Sequence, residues 1–137
     1  MRIAATALIG LVVWTIILAF VVVGKRLSLV MGGEKDINTF LPDGKDVGDF
    51  GLRATRAHLN SLEVLPLAGG IMLLAIATGN TAITDGLAMA FLYCRVIQSV
   101  IHLISVSKMM VLLRATFFSA QFVFLIIWAL ALCNVTS

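Results

Sequence analysis

Two short stretches of this 137-residue chain combine residue types able to hold and activate a small anion. The first is Arg53-x-x-Arg56-x-His58-x-Asn60-x-x-Glu63. At about 100° per residue, a helix gathers Arg53, Arg56, Asn60 and Glu63 within an arc of about 80° and turns His58 elsewhere. The second is Arg95, Gln98, His102 and Ser105, which repeat the same offsets and form another narrow polar stripe on an otherwise apolar helix. The two stripes are expected to face each other. Guanidinium groups supply forked donors to carboxylates, an amide both donates and accepts, and one carboxylate can take an ammonium group. The set therefore suits a small polyanion that carries one ammonium.

Each residue also has a plainer reading. Arg53 fits a basic face on anionic headgroups, Arg114 fits an arginine snorkelling to the interface, and Lys108 fits a topology anchor. Arg95 and Glu63 could form a structural ion pair, since a charge inside an apolar run is costly without a partner. Trp14 and Trp128 lie inside spans rather than at their ends and are read as packing residues. No zinc-ligand spacing, phosphate-cradling glycine loop or serine, histidine and carboxylate triad accompanies them, so no metal is expected.

The elements that position these residues follow from hydropathy. The chain is 61% hydrophobic and 12% charged, with mean hydropathy +1.08, against about 45–50% apolar and 25% charged in soluble domains. A domain this small cannot bury that excess, which must face lipid or sister subunits. Ile3 to Val23 is an uncharged run of about 21 residues, enough to cross a hydrocarbon core of about 30 Å. It exceeds a signal-peptide core and is followed by Lys25 and Arg26 rather than by a cleavage site.

Four spans are predicted, at about 3–24, 50–78, 84–107 and 114–134, separated by one long polar loop at 25–49. Pro66 should bend the second, Thr84 could cap the third, and Ala115 to Cys133 makes a clean fourth span of about 19 residues. The fold class is all-α, an integral membrane four-helix bundle in a single domain over 1–137. Cys94 and Cys133 sit in apolar runs, where thiols behave as small hydrophobes, so no disulfide is expected.

With four spans, the first and third loops share one face. Lys25, Arg26, Lys35, Lys45, Arg53, Arg56, Lys108 and Arg114 belong to that side, against Arg2 on the other, which predicts both loops to be cytoplasmic. The net charge of +3 and pI near 9.2 come from basic residues beside apolar spans, not from a solvated stripe. Nucleic acid is therefore not an expected partner.

The segment Arg53-Ala54-Thr55-Arg56-Ala57-His58-Leu59-Asn60-Ser61-Leu62-Glu63, with Pro66 after it, resembles the signature of the MAPEG family, membrane-associated proteins in eicosanoid and glutathione metabolism. The likeness extends over nearly the whole chain: four spans, a long first loop, Arg95 in the third helix and Arg114 opening the fourth. It implies a homotrimer with glutathione as co-substrate, bound between subunits near the cytoplasmic face. Arg53, Arg56, Asn60, Glu63, Arg95, Gln98 and His102 are the implied glutathione-binding set, with Glu63 taking the ammonium group. Arg114 matches the arginine that stabilises the thiolate, and Arg26 is weakly similar to a loop-one arginine. A thiol of pKa near 8.5 is mostly protonated at neutral pH, and lowering that by about two units needs roughly 2.7 kcal/mol, within reach of one partly desolvated guanidinium.

The implied function is a glutathione transferase or peroxidase acting on lipophilic electrophiles or lipid hydroperoxides that arrive from the bilayer, with bacterial inner membrane the expected location. Gln98 and His102 stand where active members usually carry tyrosines. That departure favours the first alternative, a catalytically silent family member serving as a membrane scaffold or lipid-binding protein. The second alternative is a small multidrug-type transporter, whose carboxylate would be expected in the first helix, where this chain has none.

Overall fold

The computed structural model describes residues 3–136, so Arg2, on which one side of the charge asymmetry rests, lies outside the described residues. Four helices follow one another: α1 (Ile3–Met31), α2 (Gly48–Ala77), α3 (Ala82–Ile104) and α4 (Lys108–Thr136). All four are long and apolar enough to cross a membrane. Among the described residues there is no strand. α1 packs on α2 and α3, and α4 packs on α3 and more thinly on α2.

The helices outrun their apolar spans. α1 has 29 residues, which at about 1.5 Å each is roughly 44 Å against a hydrocarbon core of about 30 Å. It passes straight through Lys25 and Arg26, because hydropathy marks where the bilayer ends and not where backbone hydrogen bonding ends. α2 likewise begins at Gly48 and runs through Pro66 without a break in helical assignment. α3 starts two residues before the expected 84, with Thr81 and not Thr84 at its N-cap position; Thr84 is wholly buried within the first turn. α4 starts at Lys108, six residues earlier than expected, after a connection of only three residues. There the Met110 amide donates to Ser107 Oγ at 3.4 Å and the Val111 amide to Ser107 O at 2.9 Å, which makes Ser107 the cap that starts the helix.

What remains of the loop is a folded strap. Its Lys35 pairs with Asp46 at 2.6 Å, the Leu41 amide donates to Asp46 Oδ2 at 3.0 Å, and Arg26 donates to Leu41 O at 3.1 Å. Arg26 and Lys35 both approach the Phe40 ring, at 5.5 and 5.3 Å. Gly44 seats the strap on α2: its φ is +73°, and a Cβ there would meet Thr55 Oγ1 at 2.5 Å. The Lys35 ammonium and then the Leu41 N–H hold the Asp46 carboxyl below its ordinary value of 3.8.

The apolar core occupies the half of the bundle away from the strap. Ala4, Ala7 and Leu11 of α1 meet Val64, Ala68 and Met72 of α2, Ala88 and Phe91 of α3, and Leu125 and Trp128 of α4. Small residues on α1 and α2 let the helices approach closely, as membrane helices require when lipid is as apolar as their side chains. This end is fastened where the Ala4 amide, in the first turn of α1, donates to Asp85 Oδ1 of α3 at 2.7 Å.

Candidate functional site

Toward the strap end, the interior lining changes from apolar to polar. Arg95 is 2% exposed and Gln98 5%, both from α3. They converge on one atom of α2: Arg95 Nη1 donates to Asn60 Oδ1 at 2.6 Å and Gln98 Nε2 donates to the same oxygen at 3.3 Å. Farther along the same two helices Arg53 Nε donates to Leu103 O at 3.0 Å. The two polar stripes are thus brought together, because Asn60 and Arg53 on α2 share one face, as do Arg95 and Gln98 on α3.

Glu63 is not where a structural pair would put it. Among the described residues the ion pairs are Lys35–Asp46 and Lys45–Asp43, both in the strap. Arg95 takes an amide as its hydrogen-bonding partner instead. Glu63 lies on α2 three residues beyond Asn60, about 4.5 Å farther along the axis, and it is exposed on the surface of the chain.

Arg114 and His102 join two adjoining clefts. One, of about 260 Å³, is lined by Asn60, Gln98, His102, Arg114 and the α4 residues Val111, Ala115 and Phe118. The other, of about 310 Å³, is lined by Asp49, Arg53, Arg56, His102 and Arg114. The first has an apolar α4 wall, and the second is dominated by cations. The early start of α4 sets Arg114 two turns inside that helix rather than at its end. Arg56 is exposed, and Arg26 belongs to neither cleft.

Several donors in this cluster are buried without a hydrogen-bond partner: Arg95 Nε and Nη2, and Arg114 Nε. An unmatched buried donor costs about 1–3 kcal/mol, more when charged. His58 turns away from both clefts, and its Nδ1 is also buried without a partner.

The fourth helix is not clean. Gln121 is wholly buried and donates through Nε2 to Gln98 Oε1 at 2.8 Å and to Phe117 O at 2.9 Å. Sequence reasoning passed over it as one amide in an apolar run. Its spacing held the signal: Arg114, Phe118 and Gln121 fall at i, i+4 and i+7, on one helix face.

Four membrane-crossing helices with polar residues gathered at one level of the interior define an integral multi-pass membrane protein. A family model described as the MAPEG family matches residues 4–134, and the chain belongs to that family, which makes it a membrane protein of glutathione and eicosanoid metabolism by kinship. No curated protein and no solved structure matches the chain.

Proposed function

We propose that this protein is a glutathione-dependent membrane transferase or peroxidase acting on lipophilic electrophiles or lipid hydroperoxides. The observation that carries the reading is the set of buried, unmatched N–H groups on Arg95 and Arg114 beside the Asn60 amide. Such donors are costly in a folded subunit and become favourable once an anionic ligand accepts from them.

In this reading Arg53 and Arg56 attract the carboxylates of glutathione, Asn60 and Arg95 bind its backbone groups, and Glu63 takes its ammonium. Gln98 supports the site from behind and His102 borders it. Arg114 stabilises the thiolate. The thiolate attacks an electrophilic carbon, forming a C–S bond as the leaving group departs with its electron pair. With a hydroperoxide it attacks the terminal oxygen, and the O–O bond breaks to give an alcohol and a sulfenic acid, which a second glutathione converts to disulfide and water.

The exposure of Glu63 supports a homotrimer with glutathione held between subunits. A charge inside the bilayer costs about 2.5–3.5 kcal/mol on insertion scales, so a neighbouring subunit is the natural cover. The first and third loops lie on the cytoplasmic side of a bacterial inner membrane in this proposal, following the surplus of basic residues there. The whole chain acts as one domain.

Turnover of chlorodinitrobenzene and cumene hydroperoxide by the detergent-purified protein tests the proposal, with thiolate absorbance recorded alongside. Wild type should turn over at least one of them, and Arg114→Ala should lose the thiolate signal and about 100-fold in kcat, the equivalent of two pKa units. A folded wild type inert to both would favour the silent scaffold, which the absence of family tyrosines at Gln98 and His102 already makes the second reading.

A further inference from the structure

The amide of Gln121 poses a question that the apolar helix around it does not answer. It is wholly buried, it borders neither cleft, and its Oε1 has no partner. A glutamine kept for its own satisfaction would have both ends bonded. Only its Nε2 end is engaged, on Gln98 Oε1 at 2.8 Å and Phe117 O at 2.9 Å.

From these contacts we infer that Gln121 is a positioning residue: acting through Gln98, it fixes the Asn60 side chain with its N–H donors toward the cleft. This deepens the glutathione reading above and rests on it for the identity of the ligand.

The orientation of all three amides follows from the groups at the two ends of the chain. Arg95 can only donate, so Asn60 must turn its oxygen to it, at 2.6 Å. Gln98 then reaches that same oxygen with Nε2, at 3.3 Å, and must offer Oε1 on its other side. Gln121 has to meet that oxygen with a donor. At the far end the Phe117 carbonyl can only accept, and it demands the same donor from Gln121. Turning the Gln121 amide over would set its oxygen against two other oxygens.

Among the described residues, Asn60 is the one amide of the three whose NH2 makes no hydrogen bond, and it lines the smaller cleft beside Arg114. With Oδ1 occupied twice, the cleft receives only a donor from Asn60. The complementary ligand group is an acceptor, a carboxylate or an amide carbonyl, as a small peptide carries.

Replacements separate positioning from packing. Gln121→Leu and Gln121→Met remove the donor at similar volume, and Gln121→Glu, buried and protonated, keeps the shape with an O–H donor. Gln121→Leu and its unbranched counterpart Gln121→Met should weaken glutathione about tenfold in titration and raise KM with kcat little changed, whereas a buried Gln121→Glu is held protonated and can restore the donor. In an Asn60→Ala background Gln121→Leu and Gln121→Met should add no further loss, whereas a merely structural role would add its penalty in either background. The Asn60 side-chain amide resonances, assigned by their disappearance in Asn60→Ala, should also move in Gln121→Leu and Gln121→Met without any ligand present. Unmoved resonances, or additive effects on binding, would overturn the positioning role. Absence of glutathione binding by wild type would overturn the glutathione reading alone, with the amide resonances still deciding the role of Gln121. If Gln121→Leu fails to fold, Gln121→Met carries the same comparison.

Discussion

Trp128 and Gln121 lie two turns apart on one face of α4, and neither is exposed at all. Their surroundings are opposite. Trp128 packs against Phe91 at 5.5 Å and Phe124 at 6.4 Å, while Gln121 bonds to Gln98. Phe91 and Gln98 are themselves two turns apart on α3, and on α2 the apolar run of Met72, Ala68 and Val64 gives way to Asn60. Three helices therefore change lining at about the same level. The polar residues form a layer built across the bundle, not scattered faults in an apolar core. The apolar half is filled by side chains and, among the described residues, leaves the neutral Trp128 indole N–H unmatched; the polar half leaves charged guanidinium donors of Arg95 and Arg114 unmatched. One half carries packing energy, and the other is where the proposed binding site lies.

The sharpest way to break that division is to exchange what each half should lose. Trp128→Ala removes the largest wholly buried side chain and should cost about 3–5 kcal/mol of stability. Unfolding in detergent micelles measures it, and glutathione affinity of the surviving folded protein should stay at the wild-type value. Arg95→Met should do the reverse. Its stability should change by less than about 1 kcal/mol or rise, since methionine removes the guanidinium Nε and Nη2, which lie buried without a partner at a cost of about 1–3 kcal/mol. Its affinity for glutathione should fall about 30–100-fold, equivalent to about 2–3 kcal/mol for charge-assisted bonds. Equal losses of stability in both variants would erase the distinction.

The smallest effect sits in the strap. The Asp46 carboxyl is held below its ordinary 3.8, first by Lys35 and then by the Leu41 N–H. The folded strap therefore binds fewer protons than the unfolded chain in the interval below 3.8. Its contribution to stability is complete above that pH and is lost as pH falls through the lowered folded value. Hydrogen exchange at the Leu41 amide should accelerate below pH 3.8 before either half of the bundle opens, and Lys35→Met should move the onset upward.

Much of this arrangement was legible in the chain. Apolar runs long enough to span a bilayer gave four helices, and the repeated offsets of Arg53, Arg56, Asn60 and Arg95, Gln98, His102 gave two polar faces. Helix ends were not legible from hydropathy, which is why α1 continues through Lys25 and Arg26 to Met31 and α4 begins at Lys108. The Ser107 cap was written in the sequence but was masked by attention to the apolar run after Arg114. Pairing was the least legible feature. Opposite charge suggested Arg95 with Glu63, but Glu63 is exposed at the edge of the polar arc, nearly a turn beyond Asn60, and Asn60 is the group to which Arg95 donates. Gln121 was hidden for a related reason, since one amide barely alters the hydropathy of a long apolar helix.

Glu63 is the group on which the binding proposal is most exposed, as an acidic residue on the outer face of a membrane helix with no ion pair among the described residues. Isothermal titration of glutathione into detergent-purified wild type and Glu63→Ala examines it directly. Saturable binding by wild type that disappears in a folded Glu63→Ala protein is the expected result. No binding by wild type at millimolar glutathione, or equal binding by both proteins, would contradict it.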